Sequence, residues 1–115
     1  MWIFTKKAFV SIVEDHFDPN VLLVRARLEG DLERFWPDAE VEVTPDHDYR
    51  YRARLGRQAV AAVIAREVLD IDYPNYKASL EDHRRSIWYL RVWSAMAEMQ
   101  EALKVVKRAV RRRGK

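Results

Sequence analysis

Five arginines fall at every second position in two short stretches: Arg25 and Arg27 in one, Arg50, Arg52 and Arg54 in the other. If the stretches are neighbouring strands, that spacing sends all five guanidinium groups to one side of a sheet, where they repel one another unless something neutralises them. Glu14, Glu40 and Glu42 offer a solvated cross-strand network. The sharper reading is an anionic ligand, either a phosphate backbone or an acidic protein. Open sheet faces of this kind bind RNA through aromatics that stack on bases; arginines at the corresponding positions argue against base stacking here.

A second basic cluster closes the chain. Residues 104–115 hold Lys104, Lys107, Arg108, Arg111, Arg112, Arg113 and Lys115 with no acid among them, which leaves 14 basic against 18 acidic residues, a sum of −4, in the first 103. Such a split suggests contact with something anionic. The structural alternative is that cations in the last turns complement the helix macrodipole. Phosphate contact by this tail would be strongly salt-dependent. Val105, Val106, Ala109 and Val110 make the same segment amphipathic, which keeps a partner helix or a membrane surface open.

Asp72, Tyr73, Asn75 and Lys77 gather a carboxylate, a phenol, an amide and an amine in one loop around Pro74. They form a candidate pocket, and the only one for a small enzyme; the plainer reading is helix capping, with Pro74 fixing the bend. No other catalytic constellation emerges. The three histidines, His16, His47 and His83, fall in turns or at a helix start. Asp46-His47-Asp48 presents metal-ligand types, but a turn tip rarely preorganises a site, so no metal and no cofactor are expected. There are no cysteines, which removes thiol catalysis and thiolate metal sites and fits a reducing compartment. The motifs H-E-x-x-H, G-x-G-x-x-G, G-x-S-x-G and the P-loop are absent. No 18-residue apolar run exists, and Lys6 and Lys7 follow the apolar N-terminal residues instead of preceding them. Neither export nor membrane insertion is therefore expected, and the location anticipated is cytoplasmic.

The elements that must position these residues fit one α+β domain of 115 residues. Residues 2–5 and 8–14 are rich in β-branched and aromatic types and read as strands, with a turn at Lys6-Lys7. Turn chemistry at 15–20 leads into a strand over 21–28, with Leu22, Val24, Ala26 and Leu28 inward. Asp31 is a candidate N-cap for a short helix carrying Leu32, Phe35 and Trp36. Val41 and Val43 mark another strand. Residues 49–55 give the cleanest alternation, with Tyr49, Tyr51, Ala53 and Leu55 inward. A helix follows to about residue 71, with Val60, Val63, Ile64, Val68 and Ile71 on one buried face. From Asp82, a further N-cap, a long helix runs to about residue 112, with Trp88, Val92, Ala95, Met96, Met99, Leu103 and Val106 as its apolar stripe. Trp88 and Trp93 lie about 140° apart on it; core packing is expected for them, with one free to meet a partner. The order predicts a ferredoxin-like plait variant: an antiparallel five-stranded sheet, order 1-2-3-5-4, helices on one face and a basic C-terminal helix.

Several stretches together resemble a family of short, uncharacterised bacterial and phage-type proteins. They are Met1-Trp2-Ile3-Phe4, Phe9-Val10-Ser11-Ile12-Val13, Leu22-Leu23-Val24-Arg25-Ala26-Arg27, Asp31-Leu32-Glu33, Asp48-Tyr49-Arg50-Tyr51-Arg52, Ile71-Asp72-Tyr73-Pro74-Asn75-Tyr76-Lys77 and Tyr89-Leu90-Arg91-Val92-Trp93-Ser94. The resemblance spans residues 1–96, leaves the basic tail outside, and implies a stand-alone small domain without assigning a catalytic residue.

Three functional expectations follow. The first is a non-enzymatic module binding nucleic acid or an acidic protein through Arg25, Arg27, Arg50, Arg52 and Arg54 together with Lys107, Arg108, Arg111, Arg112 and Arg113. The second is a protein interaction domain, a homodimer or a small inhibitor of a larger host or phage complex. The third is the small enzyme at residues 72–77.

Overall fold

In the computed structural model, which describes residues 1–114, five strands form: β1 (Trp2–Phe4), β2 (Phe9–Glu14), β3 (Val21–Ala26), β4 (Glu42–Val43) and β5 (Tyr51–Gly56). They make one antiparallel sheet in the order β1-β2-β3-β5-β4. Local chemistry sets the turns. Thr5 Oγ1 accepts the N–H groups of Lys7 and Ala8 at 3.2 and 3.1 Å, closing the first hairpin. Asp15 Oδ2 accepts those of Phe17 and Asp18 at 3.2 and 3.1 Å, opening the second.

Alternation then sorts the two faces. Val10, Ile12, Val24, Ala26 and Ala53 are buried on one side, and they pack with Leu32 and Phe35 of α1 (Asp31–Phe35) and Val60 of α2 (Arg57–Leu69). The core is a single apolar layer between helix and sheet.

Four boundaries differ from the sequence reading. Gly30, at φ 90°, is the N-cap of α1, a conformation that favours glycine. Asp31 is instead buried in the first turn, and its Oδ2 accepts the Phe9 N–H at 3.1 Å, tying helix to sheet. Leu28 lies outside β3 and is exposed. In β4 only Glu42 and Val43 pair. The buried face of α2 ends at Ile64; Val68 and Ile71 are exposed.

The chain divides into two compact units, Met1–Tyr73 and Pro74–Lys115. The second consists of α3 (Tyr76–Ser79) and α4 (His83–Arg113). Asn75 caps α3 by accepting the Ala78 N–H at 3.0 Å, and Asp82 caps α4 by accepting those of Arg84 and Arg85 at 3.0 and 3.2 Å. Tyr76 stacks on Tyr89 with ring centroids 6.3 Å apart, fastening α3 to the first turns of α4. Lys115 lies outside the described residues; the rest of the basic tail is helical to Arg113.

Candidate interaction surfaces

Arg25 stands directly opposite Arg52 in the β3–β5 ladder, and Arg54 opposite Leu23. All three therefore share the side of the sheet away from the α1–α2 core. Arg27 follows the last residue of β3, and Arg50 precedes β5 in an exposed bend, so neither is the strand residue expected. The reason is Tyr49. Strict alternation would place it in the core, yet β5 begins only at Tyr51, and the Tyr49 ring turns to meet the arginines. It is buried, with the guanidinium carbons of Arg25 and Arg27 4.5 and 4.3 Å from its centroid. Each contact of this kind contributes roughly 0.5–2 kcal/mol.

The neutralising carboxylates are Asp48 and Asp15, not the glutamates that the alternation suggested. Arg52 Nη2 lies 3.2 Å from Asp48 Oδ1, and Arg54 Nε 2.8 Å from Asp15 Oδ1. Arg27 donates to the Asp48 carbonyl at 2.9 Å, and Arg25 to Ser11 Oγ at 2.8 Å. Glu14 is taken by Arg57 at 2.6 Å. Glu42 faces Arg52 in register. The N–H of Tyr49, then the fields of Arg25, Arg52 and Arg27, hold the Asp48 carboxyl below its ordinary range against desolvation. For Asp15, burial alone would raise the value; the N–H groups of Phe17 and Asp18 and the Arg54 guanidinium outweigh it and lower it. Two of the four guanidiniums, those of Arg52 and Arg54, thus pair directly with carboxylates, while Arg25 and Arg27 act on Asp48 through their fields. Arg52 keeps 16% of its side chain exposed and Arg54 65%, so Arg54 presents the most accessible charge of the ion-paired arginines here.

The same face carries aromatics that strand-by-strand reading passed over. Trp2 pairs with Ser11, which pairs with Arg25, so Trp2 lies in the arginine row. Phe9 packs against both Trp2 and Phe4, at centroid distances of 6.3 and 4.4 Å. The signal was the parity of Trp2 and Phe4 in the first hairpin.

The residues of the candidate 72–77 pocket have separate duties. Asp72 pairs with Lys6 at 3.3 Å, and Lys6 also lies 5.3 Å from the Tyr73 ring centroid. Both line a cleft of about 320 Å³ with Lys7, Glu67 and Ile71. Asn75 is the α3 cap, and the Lys77 ammonium sits 3.7 Å from the Trp93 ring centroid. Asp48 of the candidate metal turn is committed to Arg52, and among the described residues no group of three or more His, Asp or Glu side chains could hold a metal ion.

On α4 the outcome is the reverse of the core packing expected. Val92, Met96, Met99, Leu103, Val106 and Val110 recur at alternating spacings of four and three, the heptad seam of a helix that packs on another helix. Their exposures run from 40% to 63%. Trp88 and Trp93 are exposed as well, with Arg91 4.3 Å from the Trp88 ring centroid and Lys77 over the Trp93 ring. Lys107, Arg108, Arg111, Arg112 and Arg113 are exposed along the same helix. Among the described residues no helix is long and apolar enough to cross a membrane.

Fold and surfaces together define an α+β chain: a five-stranded antiparallel sheet with helices, followed by a long C-terminal helix. No family model, curated protein or solved structure matches it.

Proposed function

We propose that this chain is a non-enzymatic interaction module whose working surface is the heptad seam of α4. One observation carries the reading: a 31-residue helix keeps six seam residues at least 40% exposed. Helices gain most of their stability from burying an apolar stripe, since propensity alone leaves even favourable sequences marginal. An uncovered seam running about 27 Å from Val92 to Val110, at 1.5 Å per residue, is therefore a surface waiting for an occupant. The seam is tested by replacing Met99 and Leu103 with Asp in the full chain. Association, with itself or with a protein co-purified from the native cell, should disappear while the sheet unit stays folded. Persistence of the same association in the double variant overturns the reading.

A second reading is favoured by the sheet face, where Arg25, Arg52 and Arg54 share one side of the sheet with Trp2 and Phe9 and only Arg52 and Arg54 pair with carboxylates. A face that carries both cations and the exposed Trp2 ring suits single-stranded nucleic acid, with phosphates on the arginines and a base on the ring. It calls for binding that weakens steeply with salt and falls on Arg54→Ala. Undetectable binding to single strands at low ionic strength removes it.

A further inference from the structure

We infer that the occupant of the α4 seam is the α4 helix of a second copy, packed antiparallel about residue 101; this rests on the seam being the working surface. Three observations select that occupant. The seam begins where α3 stops: Tyr76 of α3 stacks on Tyr89, and Asn75-capped α3 reaches Trp93 only through Lys77. From Val92 onward α4 has no covering helix in its own unit, and the free seam runs to Val110.

That stretch is self-complementary when reversed. Pairing about residue 101 sets Val92 against Val110 of the second copy, Met96 against Val106 and Met99 against Leu103, so every uncovered seam residue meets another and layers alternate as antiparallel coiled coils require. Ala95, Ala102 and Ala109 recur every seven residues along one flank. Reversal brings Ala102 against its own equivalent and Ala95 against Ala109, and small side chains there let the two backbones approach closely.

Charge decides the direction. Lys104, Lys107, Arg108, Arg111, Arg112 and Arg113 are exposed, and among the described residues only Lys104 of these has an ion pair, to Glu101 at 3.0 Å. A parallel pair would set both clusters side by side, within a Debye length of each other. The antiparallel pair puts them at opposite ends, each beside residues 89–98 of the other copy, where Arg91 and Glu98 offset one another. An acidic helix from another protein is the competing occupant.

The chain's lack of cysteine makes the test direct. Sedimentation equilibrium of the full chain should give a dimer, and Leu103→Asp should weaken it by about a hundredfold or more, because each copy then buries a carboxylate in the seam. Leu103 is 54% exposed, so the variant should keep its helical circular dichroism at dilution. Orientation is read by mixing a Val92→Cys chain with a Val110→Cys chain in a glutathione buffer. The antiparallel pair brings these positions within disulfide reach, whereas two Val110→Cys chains would hold their thiols about 27 Å apart along the axis. A mixed Val92→Cys/Val110→Cys disulfide supports the inference. A Val110→Cys homodisulfide, or a dimer indifferent to Leu103→Asp, overturns it. A monomer at every concentration also overturns it; seam-dependent capture of another protein by that monomer would leave the interaction reading standing.

Discussion

Leu32 and Leu103 are both apolar residues in amphipathic segments, yet Leu32 is fully buried and Leu103 is 54% exposed. The contrast extends to the units that hold them. Residues 1–73 carry ten basic and fourteen acidic side chains, and the arginines of the sheet face are answered locally by Asp15, Asp48, Ser11 and Tyr49. Residues 74–115 carry eleven basic and four acidic side chains, and their longest element leaves its apolar seam open. The first unit closes its own core; the second holds its apolar surface and its positive charge in reserve. On the proposed reading, that difference makes α4 the element whose stability depends on what it meets.

The largest effect expected from breaking this contrast comes from one substitution made twice. Leu32→Ala should cost about 2–5 kcal/mol of the sheet unit's stability, the usual loss for a leucine with no exposed surface. Leu103→Ala should change the stability of the dilute chain by less than about 0.5 kcal/mol, and should act only at concentrations where association occurs. Denaturant unfolding followed by the buried Trp36, at two protein concentrations, compares them. Equal losses would erase the distinction between the units.

Next in size is Tyr49. Tyr49→Leu keeps an apolar group but withdraws the ring from under Arg25 and Arg27, and should cost about 1–3 kcal/mol as two cation–π contacts vanish. Tyr49→Phe should cost under about 0.5 kcal/mol if the ring is what matters. A Phe variant as damaging as Leu would assign the effect to the hydroxyl.

The sequence disclosed the topology because strand alternation and turn residues act locally: Asp15, Thr5 and Asp82 do what their types imply. The arginine face was legible for the same reason, for Arg25, Arg52 and Arg54. Tyr49 was not, since a break in the ladder at residue 50 reverses its side and only the positions of Arg25 and Arg27, distant in sequence, reward that reversal. The α4 stripe was visible as spacing; whether a stripe is buried depends on an available partner, which spacing does not encode.

A smaller effect tests α4 alone. Asp82→Ala removes an acceptor for two N–H groups at its start and should cost about 1 kcal/mol. The loss should appear as fraying in far-ultraviolet circular dichroism and amide exchange over the first turns of α4, with the sheet unit's denaturation midpoint unmoved. A shift in that midpoint would mean that the units do not unfold separately.

The smallest effect concerns acid. Asp15 and Asp48 both titrate below the ordinary aspartate value, about 3.9 in peptides. Each therefore binds its proton less readily folded than unfolded, and the stability it contributes is complete above that value and lost as pH falls through its lower, folded value. The sheet unit should accordingly weaken on acidification below about pH 4, while the seam of α4, built from untitratable side chains, supplies no such term. Asp15→Asn keeps an oxygen acceptor for Phe17 and Asp18 but cannot ionise, so it should lower the neutral-pH midpoint slightly and flatten the acid limb. Thermal midpoints of wild type and variant between pH 2.5 and pH 7, a range spanning roughly the carboxylate titration, should converge at the acid end. Parallel curves would show that the Arg54–Asp15 contact gains nothing from charge, and that the hydrogen bonds of the turn alone hold that end of the face.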